Sequence, residues 1–393
     1  MNAAVETATT PDQCLAVIYA LRSNGERMPS RESRLAALIE TARRWRRPDD
    51  ARRKKAAHSI GTLTGLAPSM IDAGLEHLLA GFTAERLTGL IDESAGSEQV
   101  RLLISAGNVP ALALPDLAAA LLNGAAVLLR PSSHDPETPR LFVETLCDIE
   151  PRLAEVIAVA AWPREADAIS AAAAGAVDCV MVSGDDGTVA RFAQRARRII
   201  GHGEQRSLAL VGAEQAAAAD LSDQLARDVA WYEQQGCLSP HLVYVEGAAS
   251  SARRFAERLA DALARRAEQW PPAPMPLAAA GAIMQLRAEV EFREPAGAVV
   301  HGRAGAGTVL YDPESSPRRS PGRRTIWVKP LDDMGRIAEL LRPWRGQIAS
   351  IGTALSAKQL DAMRRQLAPL GPIFWSSIGR MQEPPIDWQR HAR

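Results

Sequence analysis

Cysteine is scarce in this chain: Cys14, Cys147, Cys179 and Cys237 stand singly among 393 residues. No CxxC pair brings two thiols together, which argues against a zinc site or a disulfide framework. No metal is therefore expected, and the chain reads as reduced and cytoplasmic. A surplus of charge is missing too. Lys plus Arg and Asp plus Glu stand at 46 each, so no global field draws the chain to nucleic acid or to an anionic membrane. Long apolar runs are also absent. The most hydrophobic stretch, 109 to 129, contains Pro110, Pro115, Asp116, Asn123 and Gly124, which break it before it spans a bilayer. The opening "MNAAVETATTPDQ" has no basic region followed by an apolar one, so no secretory signal is expected. These absences leave small molecules as the expected partners.

What is present is alternation. "RLLISAG" (101 to 107), "AVLLR" (126 to 130), "VIAVAA" (156 to 161) and "DCVMVSG" (178 to 184) read as buried strands. Between them lie the helical "PDLAAALLNG", with Gly124 as its stop, "ETPRLFVETLCDIEPRL" and "EADAISAAAA". Such order predicts a parallel sheet covered on both faces, with ligands at the carboxyl ends of its strands. A second α/β set runs from "SLALVG" (207 to 212) through "SDQLARDVAWYEQQ" and "HLVYVE" to "TIWVKPL", "QIASIG" and "SAKQLDAMRRQLAPLG". The segments 271 to 276 and 312 to 324 read as surface loops. The first hundred residues are mostly helical, and their basic run at 43 to 55 reads as a solvated helix face, interrupted by Asp49 and Asp50.

Cys237 sits between a helical and a strand-like segment, after Gln234, Gln235 and Gly236 and before Pro240. That setting suits a nucleophile, because a thiolate attacks an acyl group readily. The oxyanion so formed needs preorganised donors, and Asn108 stands where the first strand ends. Asn108 read alone is equally a turn former, and Cys147 and Cys179 fall in apolar runs that suit core positions.

The stretch "AGNVPALALPDLAAALLNGAAVLLRPSSHDP" resembles a conserved-motif region of the aldehyde dehydrogenase superfamily, "QQGC" resembles its nucleophile segment, and "VMVSGDDG" falls between them in the same order. Within that superfamily, "C-x-S-P" and the closing "GRMQEPPIDW" are more similar to the fatty acyl-CoA reductases of bacterial bioluminescence. The likeness covers roughly residues 95 to 388. It implies an α/β, aldehyde-dehydrogenase-like fold: a helical N-terminal region with a parallel-sheet dinucleotide-binding domain (1–205), an α/β catalytic domain carrying the nucleophilic cysteine (206–375), and a C-terminal tail (376–393) returning to the cofactor domain or an interface. It makes Cys237 the nucleophile and Asn108 an oxyanion donor. Arg130, Ser132, Ser133, Ser183 and Gly184 become cofactor-binding residues. Arg130 falls where a ribose-binding lysine is usual, and Ser133 where NAD-preferring members carry a glutamate, which favours NADPH.

Where hydrolytic members have a general-base glutamate, this chain has Ala209. The resemblance therefore implies an NADPH-dependent acyl-CoA reductase, acting on an acyl-CoA or acyl-carrier thioester through a thioacyl-enzyme. The alternatives are an NAD(P)-dependent aldehyde dehydrogenase and a non-catalytic descendant that binds within a biosynthetic complex. A homo-oligomer is compatible with either. Gly187 beside Gly184 reads equally as a plain tight turn, Glu294 as a solvated carboxylate, and His241 either as an aid to the thiol or as packing behind the turn.

Overall fold

A computed structural model describes residues 5–92, 98–293, 297–302 and 305–388. Glu294 lies outside the described residues. The chain divides into two compact units: residues 1–64, 71–204 and 385–387 form one, and 65–70, 205–384 and 388–393 form the other.

The first unit is built on six parallel strands: β1 (Val5–Thr7), β2 (Val100–Ile104), β3 (Ala126–Arg130), β4 (Ile157–Ala161), β5 (Cys179–Ser183) and β6 (Ile199–His202). Their order is β1-β4-β3-β2-β5-β6. All five residues of β2 are buried, Arg101 through its pairing with Glu98, which is why the other four are apolar and do not alternate. The helices α1 (Pro11–Ser23), α2 (Arg31–Trp45), α3 (Ala51–Thr64), α4 (Pro68–Ala80) and α5 (Ala84–Thr88) precede β2. Then α6 (Ala113–Leu122), α7 (Glu137–Ile149), α8 (Asp167–Ala176) and α9 (Asp186–Ala193) alternate with the strands. Gly124 ends α6 at φ +84°, a left-handed conformation that a side chain would strain. Both Cys14 and Cys179 are buried, and Cys147 is half-buried.

Most of the basic run at 43–55 is engaged in ion pairs. Arg43 and Arg44 meet Glu40, Arg46 meets Glu76, Arg52 meets Glu144 and Asp148, Arg53 meets Asp72, and Lys55 meets Glu137. Most of these groups are solvated, and such pairs are worth about 0–1 kcal/mol each. They cancel a field more than they stabilise the fold.

The second unit holds β7 (Arg206–Val211), β8 (Pro240–Glu246), β9 (Val299–His301), β10 (Thr308–Tyr311), β11 (Thr325–Leu331), β12 (Ile348–Ala354) and β13 (Phe374–Ser377). They lie in the order β13-β12-β7-β8-β11-β10-β9, all parallel except β9, which runs antiparallel to β10. Helices α10 (Leu221–Ala230), α11 (Ala249–Gln269), α12 (Leu277–Phe292), α13 (Ile337–Leu340) and α14 (Ala357–Leu367) complete it. Leu208, Leu242, Trp327, Ile351 and Leu367 belong to its buried core. No helix among the described residues is long and apolar enough to cross a membrane.

Candidate active site

The sequence "ARDVAWYEQQ" reads as one helix, but α10 stops at Ala230. Tyr232, Glu233 and Gln234 then take φ values of 51°, 55° and 59°. Left-handed backbone costs an L-residue about 1–2 kcal/mol, so three in a row require anchors. Each residue has one. The Tyr232 N–H donates to Met70 Sδ at 3.2 Å. The Glu233 carboxylate pairs with the buried Arg324, whose Nη1 also donates to the Trp270 carbonyl at 2.9 Å. Gln234 donates from Nε2 to the carbonyls of Pro240 and Thr325, and its Oε1 accepts the Thr325 N–H, all at 2.7 Å. The helix feeding the turn is fixed too: buried Asp228 accepts the N–H groups of Gly379 and Met381.

At the end of this turn Cys237 is exposed, unlike the other three cysteines. Although the residue reaches solvent, protein packed around the sulfur raises the thiol to about 11, while the N–H groups of Cys237 and Leu238 act in the opposite direction. His241 supplies no cation to it. Burial, with Arg319 and Arg206 adding to the effect, pushes its imidazole down to about 4, and its Nδ1 lies 2.8 Å from Ser320 Oγ. It packs behind the turn as a neutral ring.

Segment 312–324 departs from the surface loop its composition predicts. Asp312, Ser320 and Arg324 are buried, because each carries a polar group that completes a pair within the unit. Asp312 meets Lys329 Nζ at 2.7 Å, Ser320 meets His241, and Arg324 meets Glu233. The segment is a strap holding the cysteine turn.

The other expected site residues lie on the first unit. There β3 and β4 lie on one side of β2 and β5 on the other, so chain order reverses beside β2. In open α/β sheets, ligands bind outside the carboxyl ends of the strands at such a point. Asn108 follows β2, half-buried, and Ser183 with Gly184 ends β5. The turn carrying Asn108 is pressed onto the one carrying Ser132 and Ser133: a Cβ on Gly107 would lie 2.1 Å from Ser132 Oγ and 2.8 Å from His134 Cβ. Asp135 locks the two together by accepting the N–H groups of Ala111 and Thr138. Burial raises its carboxyl.

Arg130 donates from Nε and Nη2 to the Trp162 carbonyl, at 3.2 and 2.9 Å, and stacks on the Trp162 ring. Burial, then the nearby charges of Arg191 and Arg164, lowers its pKa, with Glu165 opposing; Arg164 and Arg191 are themselves paired with Asp185 and Asp167. The start of α9 is less open than its glycines suggest. Asp185 caps the helix by accepting the Thr188 N–H at 2.7 Å and pairs with Arg164 at 2.6 Å, while Asp186 accepts the Glu204 N–H. Both carboxylates are engaged within the fold.

Sequence reasoning singled out Gln234 only as a neighbour of the cysteine, and it missed Glu233, Arg324 and two serines, Ser207 and Ser350, that stand behind Cys237. Their signal was faint: a hydroxyl in the otherwise apolar "SLALV" and "IASIG" strands must find a partner when buried.

Comparison with known proteins agrees with this architecture. The fold is similar to that of the NADP-dependent glyceraldehyde-3-phosphate dehydrogenase of Bacillus halodurans, solved with NADP (TM-score 0.72, 15% identity, 94% of this chain and 83% of the other). It is also similar to aldehyde dehydrogenase 21 of Physcomitrella patens (TM-score 0.72, 15% identity, 92% and 82%). Curated relatives are the long-chain acyl-protein thioester reductases of Aliivibrio fischeri (25% identity, 64% of this chain and 53% of the relative) and Vibrio harveyi (21% identity, 53% and 49%). The chain spans about half the length of these curated relatives. Residues 97–386 match the family described as acyl-CoA reductase (LuxC). On an aldehyde-dehydrogenase-like fold, with one exposed cysteine on an anchored turn, the chain belongs to the acyl-CoA reductase (LuxC) family.

Proposed function

We propose that this chain reduces an acyl-CoA thioester to an aldehyde, with NADPH as reductant and Cys237 as nucleophile. The observation that carries the reading is the exposed Cys237 at the end of a turn in which every left-handed residue is anchored. In this reading Cys237 Sγ attacks the thioester carbonyl, and its own N–H donates to the oxyanion. The intermediate collapses with loss of the CoA thiolate and leaves a thioacyl-enzyme. When bound, NADPH supplies the hydride that reduces this thioester. The Cys237 thiohemiacetal alkoxide then re-forms a C=O bond, releasing aldehyde and thiolate.

Ala209 supports reduction over hydrolysis. It is fully buried on β7 between Val243 of β8 and Gly352 of β12, so no carboxylate at this position activates water. The names of the curated relatives favour a second donor, a protein-borne long-chain acyl thioester. Mixing the protein with acyl-CoA in the absence of reductant tests the reading. The expected result is a mass increase of one acyl group at Cys237, removable by hydroxylamine and discharged as aldehyde on adding NADPH. No adduct on folded protein would overturn it.

The donor set at the β3 end fits a phosphorylated ribose. Arg130 is preoriented by Trp162, Arg164 and Arg191 lie close enough to depress its pKa, and Ser133 is exposed. In this reading Arg130, Ser132 and Ser133 hold the 2′-phosphate, and Ser183 and Gly184 border the pyrophosphate. Ser133→Glu should weaken NADPH by about 1–3 kcal/mol through like-charge repulsion and leave NADH nearly unchanged. Fluorescence titration of both nucleotides checks this, and parallel losses would place the 2′-phosphate elsewhere.

A further inference from the structure

Behind Cys237 lies a hydroxyl pair that no cofactor or substrate role uses. Ser207 opens the buried part of β7, and its Oγ donates to the Cys237 carbonyl at 2.7 Å. Ser350 of β12 supplies two hydrogen bonds to Ser207 Oγ, from its N–H at 3.1 Å and its Oγ at 2.9 Å. Both serines are fully buried.

A hydroxyl has one proton and two lone pairs. A carbonyl can only accept, so the Ser207 proton must go to Cys237, and the Ser350 hydroxyl must be the donor in the bond between the serines. Every hydrogen-bonding position on Ser207 Oγ is then filled. The sheet is irregular at this level: register shifts fall between Ser207 and Leu208 against β8, and between Ile348 and Ser350 against β7. Bulges re-aim groups and disrupt the ladder locally. Here the Ser350 N–H, which would otherwise seek a backbone carbonyl, turns to the Ser207 side chain.

The peptide bond links this arrangement to the sulfur. Carbonyl and N–H of one trans peptide point in opposite directions in one plane. Holding the Cys237 carbonyl therefore also fixes the Leu238 N–H beside the Cys237 side chain, where with the Cys237 N–H it acts to lower the thiol pKa against burial. Among the described residues no His, Lys or Arg acts on the thiol, so these N–H donors are its main support as an anion there.

We propose that Ser207, held by Ser350, is a positioning residue for the nucleophile: it clamps the Cys237–Leu238 peptide so that the Leu238 N–H stays aimed at the sulfur and stabilises the thiolate. The inference rests on Cys237 being the nucleophile, and its test is independent of turnover.

The test follows alkylation of Cys237 by iodoacetamide against pH, read at the Cys237 peptide by mass spectrometry. In Ser207→Ala the rate at pH 8 should fall about tenfold, with the profile displaced alkaline by about one unit. Ser207→Thr, which keeps the hydroxyl, should retain the wild-type profile. Ser350→Ala removes one of the two donors to Ser207 and should slow alkylation by about threefold. In turnover, kcat should fall with little change in KM for the thioester. A Ser207→Ala profile that superimposes on the wild type would overturn the proposal. If that variant does not fold, as urea unfolding would reveal, an unchanged Ser350→Ala profile overturns it instead. Full turnover in Cys237→Ser would remove the nucleophile assignment alone, because the alkylation profiles still read the clamp.

Discussion

Cys237→Ser should lower thioester reduction by about 10⁴-fold or more and leave no acyl adduct, while NADPH binds as before. The reason lies in what surrounds the side chain. A serine hydroxyl needs a neighbouring base to attack a carbonyl, and the ring closest in sequence, His241, is neutral and bonded to Ser320. Among the described residues even the native thiol has only N–H donors to favour its anion, and an alcohol starts several pKa units higher. Steady-state turnover, intact-protein mass after exposure to acyl-CoA, and nucleotide titration separate the two chemical steps from binding. Turnover within tenfold of wild type, or an adduct of unchanged yield on another residue, would move the nucleophile elsewhere.

The second large effect concerns stability. Arg324→Met should destabilise the second unit by about 3–5 kcal/mol, the usual cost of leaving half of a buried ion pair without its partner. Glu233 is the residue stranded. Burial already raises its carboxyl above the ordinary range, opposed by Arg324. Without the guanidinium its pKa rises further in the folded state, so the folded state holds a proton that the unfolded chain has released. Stability of the variant should therefore fall as pH rises above about 4.5 toward neutrality, more steeply than in the wild type. Glu233→Gln combined with Arg324→Met should recover much of the loss, because no charge is then buried alone. Urea unfolding followed by the fluorescence of Trp231 and Trp270, whose rings lie 5.3 Å apart beside this pair, reads the change. An equal loss in single and double variants would assign it to packing.

The parallel strands were legible because burial on both faces leaves near-continuous apolar runs, as in "AVLLR" and "DCVMV". The first strand, Val5–Thr7, is only three residues long, too short for any periodicity to reveal. Composition misled at 312–324: arginine, serine and proline imply solvent until Arg324 meets Glu233, 91 residues away in sequence. The left-handed turn escaped for a related reason. Tyr232, Glu233 and Gln234 have no local preference for positive φ, and only tertiary anchors hold them there. Cys237 and Asn108 could be singled out from their immediate neighbours, whereas the residues that orient the cysteine belong to distant strands. Chemistry-bearing residue types announce themselves locally, and their supports do not.

The distance of those supports sets an order of events during synthesis. Serine 350 emerges 143 residues after Ser207, and Arg324 emerges 91 residues after Glu233. At about 5–20 residues per second, Glu233 waits roughly 5–20 s for its partner. Until then Glu233 has no counter-charge and Gln234 lacks its bonds to Thr325, and the Ser207 hydroxyl stands without Ser350 until β12 follows. The nascent chain therefore carries an ordinary flexible cysteine, and a directed one exists only after β11 and β12 have joined the sheet.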